Sequence, residues 1–389
     1  MTSIPAPEII AKLSLEKFNK LPKKGKPTQN QWTVLSCILS HNISTNATKV
    51  VALGTGTKCI GHTELCPRGL ILNDSHAEVM ARRAFLRYIY EKIIAGDELF
   101  SFNEASKRFQ LKQGVSFHFF STHPPCGDAT INSREADESE PPAEKKQKFD
   151  TGVFTGAKLI GSNLADAMDQ EIGHVRTKPG RGVRTLSMSC SDKMSRWNVL
   201  GIQGALLDLV LEEPLYLDSF TFCNPAEVNA IERAIYKRWL GRVFTHKRYT
   251  PQKPAIRVCN RDVIFGHAQN DEKDPSPASV AWTDMKDRPL EVAVCGKNQG
   301  VTKKDLETRN AALRISKLAL MDRFITVLNL HPKLKEAIGF EMIENKTLKD
   351  LKETSKVYQE AWTILKGSYF GNWTQKPHNI LNFKLINAT

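Results

Sequence analysis

His76, Ala77 and Glu78 place an imidazole and a carboxylate two positions apart, and Pro124-Pro125-Cys126 brings in a thiol farther along the chain. Imidazole and thiolate are donors that zinc prefers, and a catalytic zinc needs three protein ligands with a fourth position left open. On a helix, Glu78 falls about half a turn beyond His76, where it can move a proton without being a ligand. These residue types support hydrolysis by a metal-activated water, whose pKa zinc lowers to about 7.

The spacing is most of the zinc nucleobase-deaminase pattern H-x-E…P-C-x-x-C, in which water adds to the amidine carbon of a base, and the glutamate passes one of the water's protons to the ring nitrogen and then the other, from the new hydroxyl, to departing ammonia. The pattern is incomplete, because Cys126 is followed by Gly127, Asp128 and Ala129. A third ligand must come from elsewhere. Cys190, in Ser187-Met188-Ser189-Cys190-Ser191-Asp192, lies where an extended run enters a helical one. On spacing alone it fits a ligand and a buried structural cysteine equally well. His41, His62 and His123 fit local hydrogen bonding better than metal binding.

Elements must position these groups. Apolar periodicity predicts a helix over 8–18, strands over 32–39 and 49–53, and a helix over 76–94 entered through the potential caps Asn73, Asp74 and Ser75. A strand over 115–122 stops at Pro124-Pro125, with Cys126 opening another helix, and a strand over 185–190 leads into a long helix through 196–211. His76 and Cys126 then both sit at helix N-termini, where the macrodipole favours a thiolate. Helices over 226–240, 309–328 and 348–366 are expected in the second half, with extended runs at 279–282 and 290–295. Residues 133–150 are rich in Glu, Asp, Pro and Lys with little to bury, and are expected to form a mobile surface insertion.

With 389 residues, 41% hydrophobic and 25% charged, the chain has ample material for a globular core. No apolar run reaches the roughly 18 residues of a membrane span, and the N-terminus has no signal-peptide pattern. Eight cysteines show no disulfide framework, so a reducing intracellular setting, cytoplasm or nucleus, is expected. A net charge of +13 and a pI near 9.3 point to a polyanionic partner, nucleic acid first. Basic residues cluster at Lys23/Lys24/Lys26, at Arg176/Lys178/Arg181/Arg184, at Lys237/Arg238/Arg242/Lys247/Arg248 and at Lys303/Lys304. The second cluster is the candidate RNA contact nearest the reactive centre.

Asn73-Asp74-Ser75-His76-Ala77-Glu78, Pro125-Cys126-Gly127-Asp128, and Met188-Ser189-Cys190-Ser191-Asp192-Lys193 followed by Arg196-Trp197-Asn198 resemble the adenosine deaminases acting on RNA and tRNA. Gly201-Ile202-Gln203-Gly204 and Gly54-Thr55-Gly56-Thr57-Lys58-Cys59 extend the likeness over nearly the whole chain. The resemblance implies a cytidine-deaminase-like three-layer α/β/α core with a helix-rich C-terminal extension. It implies one editase domain over 1–389, its zinc core at 32–215 and a helical part at 216–389. It makes Cys190 the third zinc ligand beside His76 and Cys126, with Glu78 catalytic. The chain resembles the tRNA type of this family, which acts on the adenosine 3′ of the anticodon of tRNA-Ala, because no room precedes the deaminase-like sequence for a double-stranded-RNA-binding module of roughly 65–70 residues. No obligate protein partner is evident. The loop at 176–182 is shorter than the base-flipping loop of the double-stranded RNA editors and lacks their glutamate.

The helix from His76 is apolar around most of its circumference, so Arg82 and Arg83 cannot both face water easily, and Lys193 and Arg196 follow Cys190 closely. Cations placed that deep require anions. Protein carboxylates are the ordinary compensation. The resemblance implies instead a buried inositol hexakisphosphate held by Asn73, Arg82, Arg83, Lys193, Arg196, Lys317, Lys352, Tyr358, Trp373 and Lys376. Two positions depart from the family pattern: Trp362 stands for a lysine and Gln375 for a glutamate.

Overall fold

A computed structural model describes residues 4–131, 158–159, 172–179, 183–224, 226–239, 244–262, 273–340, 343 and 345–385. The proposed insertion at 133–150, Arg181 and Arg242 lie outside the described residues.

The centre is an eight-stranded mixed sheet. Its strands in chain order are β1 (Leu35–Asn42), β2 (Ala47–Thr55), β3 (Val115–Ser121), β4 (Ser219–Asn224), β5 (Ala255–Asp262), β6 (Ala278–Thr283), β7 (Leu290–Val294) and β8 (Lys297–Asn298). They lie in the order β5-β4-β3-β1-β2-β6-β7-β8. Strands β3, β4 and β5 run parallel, and the other neighbouring pairs are antiparallel.

Period-2 alternation gives each face its own core. Cys37, Leu39, Leu53 and Phe120 face α1 (Pro7–Lys20), which buries Ile10, Ala11, Leu15 and Phe18 against them. Ile38, Ala52, Phe117 and Phe119 face the opposite layer, led by α2 (Ala77–Ile94). That second layer continues through α3 (Cys190–Leu200), α4 (Gly204–Val210), α5 (Val228–Ile235), α6 (Lys317–Leu330), α7 (Pro332–Ile338), α8 (Leu348–Thr354) and α9 (Lys356–Ser368). Helix α6 packs on α2, while α8 and α9 pack on α4. This is the expected deaminase-like three-layer arrangement.

Several expectations change, among them the strand over 185–190, where only an isolated bridge forms at Met188, and the helix over 309–328, which begins at Lys317. The core expected at 32–215 does not hold the whole sheet: β4 to β8 complete both edges, so the part expected at 216–389 supplies core strands beyond the extended runs foreseen at 279–282 and 290–295. The helix expected through 196–211 is broken after Leu200, where Gly201 takes a φ of 75°. The helix expected at 348–366 is likewise two, α8 and α9, parted at Ser355. Among the described residues, no helix is long and apolar enough to cross a membrane.

Candidate functional site

His76 closes a short strand, Asp74–His76, that pairs antiparallel with Thr57–Cys59, and it is the residue from which α2 springs. Cys126 lies on the loop after β3. It does not open an α-helix as expected; the chain makes only a 3₁₀ turn at Asp128–Thr130. Gly127, at φ 104°, allows the close approach, since a Cβ there would meet Ser189 Oγ at 2.4 Å. Cys190 opens α3, capped by Ser189, whose hydroxyl accepts from the Asp192 amide at 3.1 Å. Ser191 fastens the two cysteine segments: its amide donates to the Cys126 carbonyl at 3.0 Å and its hydroxyl to the Pro125 carbonyl at 3.0 Å.

These elements bring His76, Cys126 and Cys190 together, with their donor atoms all within 4.8 Å of one another. His76 Nδ1 lies 3.8 Å from Cys126 Sγ and 3.9 Å from Cys190 Sγ. A tetrahedral zinc with ordinary bond lengths sets N···S edges of about 3.6 Å, so the donor set fits that ion closely. The Cys190 thiol donates to Cys126 and pulls the latter well below the ordinary thiol range, helped by Lys178 and His76. Burial pushes the Cys190 thiol itself up. Glu78 is buried, one of its carboxylate oxygens has no hydrogen-bond partner, and burial raises its pKa above the usual carboxylate value. A buried carboxyl with a free oxygen can take up a proton and release it.

Lys178 and Asp74 were not anticipated here. Lys178 Nζ donates to Asp74 Oδ1 and to Cys190 Sγ, both at 3.0 Å. Burial alone would depress this ammonium, but Asp74 and the two cysteine sulfurs hold it above its ordinary range. Asp74 also accepts from the His76 amide at 3.0 Å and pairs with Lys193. The expected RNA-facing role of Arg176 and Lys178 is therefore corrected, since they are 0% and 1% exposed. Arg176 lies beside Asp128, and its amide donates to Asp192. Arg184 is exposed, and its carbonyl receives the His62 amide at 3.0 Å. Part of the third basic cluster also turns inward: Arg238 meets Asp192 at 2.7 Å and Arg248 meets Asp208 at 3.2 Å.

Beyond Lys193 lies a cavity of about 1000 Å³, lined by all ten residues expected to hold a polyphosphate. Among the described residues, no carboxylate is within ion-pair reach of Arg82, Arg83, Arg196, Lys317 or Lys352. Asn73 Nδ2 and Oδ1, Arg83 Nη2, Arg196 Nε and Lys317 Nζ are buried without hydrogen-bond partners. Burial among like charges lowers Arg82 to about 10, Arg83 to about 9 and Lys352 to about 7. Lys317 falls well below its ordinary value for the same reason. Unpartnered donors around a cavity suit an anionic occupant. The break after α3 serves this wall, because Arg82 Nε donates to the Ile202 carbonyl at 2.9 Å. Trp362, standing for the family's lysine, lies under the Arg196 guanidinium, 3.8 Å from it to ring centroid. Lys376 is at the exposed rim.

Residues 52–377 match the adenosine-deaminase (editase) domain model. The chain is 46% identical over 388 residues to a Drosophila melanogaster protein named tRNA-specific adenosine deaminase 1, covering 97% of each. It is 30% identical to the human protein of that name, over 96% of this chain and 99% of that one. A more distant relative, the Drosophila melanogaster double-stranded RNA-specific editase Adar, is 28% identical over 95% of this chain but only 54% of its own length. The deaminase family typically binds zinc, and the His76, Cys126 and Cys190 cluster is a set that can hold a metal. The chain belongs to the adenosine-deaminase (editase) domain family.

Proposed function

We propose that this protein is a zinc-dependent tRNA adenosine deaminase that converts the adenosine 3′ of the anticodon of tRNA-Ala to inosine. The observation that carries this reading is the convergence of His76, Cys126 and Cys190 beside a buried Glu78 with a raised pKa. The near full-length likeness to proteins named tRNA-specific adenosine deaminase supports tRNA as the substrate class.

His76, Cys126 and Cys190 would hold the zinc, which when bound supplies a Lewis acid and a water of lowered pKa. Glu78 takes a proton from the attacking water, delivers it to the ring nitrogen, and serves again as ammonia leaves. Lys178 and Asp74 fix the environment of Cys190 and the approach of His76. The cationic cavity fits inositol hexakisphosphate, which would neutralise Arg82, Arg83, Lys193, Arg196, Lys317, Lys352 and Lys376, with Asn73, Tyr358 and Trp373 completing the lining.

The test is inosine formation, read as guanosine after reverse transcription, on a tRNA-Ala transcript beside a long RNA duplex. Editing of the transcript at that adenosine is expected, and editing of the duplex alone would replace this reading with a double-stranded RNA deaminase. The Glu78→Ala variant should keep zinc and tRNA binding while losing about 10²-fold or more in turnover; retained turnover would remove Glu78 from the mechanism.

A further inference from the structure

Residues 32–35 join the two segments that carry the metal donors. The Val34 carbonyl accepts from the Gly56 amide at 3.2 Å, and the Gly56 carbonyl accepts from the Ala77 amide at 2.9 Å, next to His76 and Glu78. On the other side, the Leu35 amide donates to Thr122 Oγ1 at 3.1 Å, and the Thr122 amide donates to the Leu35 carbonyl at 2.9 Å. Thr122 Oγ1 also meets His123 Nδ1 at 2.9 Å, on the loop that runs to Cys126. Trp32 therefore stands at the edge of the metal centre, and its ring centroid is 6.2 Å from that of His123 at an interplanar angle of 44°. Both residues are half-buried, so part of each remains accessible. Trp32 is braced from behind, because Gln31–Trp32 pairs in parallel with Asp274–Pro275 and the Ser276 amide donates to the Trp32 carbonyl at 2.9 Å.

The chain that leads to Trp32 is basic and sorted by direction. Lys17 turns inward over the Trp282 ring at 3.5 Å, and Lys26 donates to the carbonyls of Asn19 and Leu21 at 3.0 and 2.6 Å. Lys20, Lys23 and Lys24 are exposed and have no carboxylate partner among the described residues. Exposed cations a few residues before a braced aromatic pair are the two elements that hold single-stranded nucleic acid, phosphates on the cations and a base on the ring.

We propose that Lys20, Lys23 and Lys24 guide the RNA backbone to the reactive centre, and that Trp32, supported by His123, stacks on the nucleotide next to the reactive adenosine. This role fixes which nucleotide enters, and it rests on the deaminase reading above. Substrate would then be gripped at two points, its reactive base in the metal centre and its neighbour on the aromatic step.

The experiment uses an anticodon stem-loop of tRNA-Ala carrying 2-aminopurine beside the reactive adenosine, with the full chain loaded with zinc. Wild-type protein should quench the probe on binding. The Trp32→Ala variant should bind about 10-fold or more weakly and lose the quench, whereas Trp32→Phe keeps most of both. If Trp32→Ala fails to fold, Trp32→Leu preserves the bulk and should still lose the quench. Removing two phosphate contacts with the Lys23→Ala/Lys24→Ala variant should reduce the slope of log affinity against log salt by about 1.4. Unchanged quench, affinity and KM in Trp32→Ala or Trp32→Leu protein of normal zinc content would overturn the proposal. Failure of the parent reading looks different: wild-type protein would then leave the tRNA-Ala adenosine unedited, whatever the stem-loop binding shows.

Discussion

Lys178 has a charged side chain shut away from water, and what it touches is negative or can become so: Asp74 at 2.9 Å and the Cys190 sulfur at 3.0 Å. A cation there would stabilise thiolates at Cys126 and Cys190 if they bind the proposed metal, and it holds Asp74 where it receives the His76 amide. The Lys178→Met variant should therefore lower zinc affinity about 10- to 100-fold, the usual cost of losing an outer partner of a metal ligand. Competition with a chromogenic chelator measures this, and RNA affinity should change far less. The sequence could not show the role. Lys178 sits in a run of basic residues whose ordinary fate is solvent, while its partner Asp74 lies 104 residues away. His76, Glu78 and Cys126 were legible because their chemistry is packed into short local patterns, whereas Cys190 needed a family likeness to settle it. Lys352 makes a second prediction at this scale. Its folded-state pKa of about 7 lies below the roughly 10.4 of an unfolded chain. Between those values the unfolded chain holds a proton that the folded one has released, so protein with an empty cavity should gain stability as pH rises from 7 toward 10. Denaturation midpoints across that range, after removal of bound polyanion, give the check.

At the scale of elements, each proposed metal ligand sits where one kind of local structure gives way to another: strand to helix at His76, loop to 3₁₀ turn at Cys126, loop to helix at Cys190. Such junctions depend on single hydrogen bonds. Ser189 both accepts from the Asp192 amide and donates to its carboxylate at 2.6 Å, so it fixes the first turn of α3 and the cysteine on it. The Ser189→Ala variant should lose about 1 kcal/mol of stability, measured by urea denaturation. Helices with strong apolar faces, such as α1 and α2, were visible in the sequence to within a few residues. The interruption after Leu200 was not, because Arg196 to Leu211 keeps its apolar period across the break and Gly201 alone marks it. Strands β4 and β5 were also hidden. The pairing of β4 is decided by β3, more than 90 residues earlier, and β5 then adds to β4 as the edge strand, so neither is decided by its own composition.

At the scale of the molecule, one face of the second helical layer is a chamber whose Arg82, Arg83, Arg196, Lys317 and Lys352 have no carboxylate partner among the described residues, with Lys193 and Asp74 joining its wall to the proposed metal ligands. Adding inositol hexakisphosphate to stripped protein should raise the melting temperature. Bound polyanion favours charged Lys352, so affinity should weaken as pH climbs above 7. Calorimetry at pH 6.5 and 9 tests the sign, and equal affinity at the two would remove Lys352 from the site. The three-layer fold was readable from motif and period, but the chamber was not readable from charge alone, because sequence does not reveal which cations lack carboxylate neighbours.

The walls of that chamber have a consequence for the order of assembly. Asn73, Arg82 and Arg83 come from the first quarter of the chain, Lys352 and Tyr358 from α8 and α9, and Lys376 from beyond them. By Cys190 every proposed metal donor has been synthesised, yet the edges of the sheet and most of the chamber are still to come. Until α8 and α9 dock, Arg82 and Arg83 belong to an unfinished wall. A chain cut before Leu348 would keep every proposed zinc ligand and lose the enclosure that gathers those cations, so completion of this fold is timed by its last helices rather than by its reactive centre.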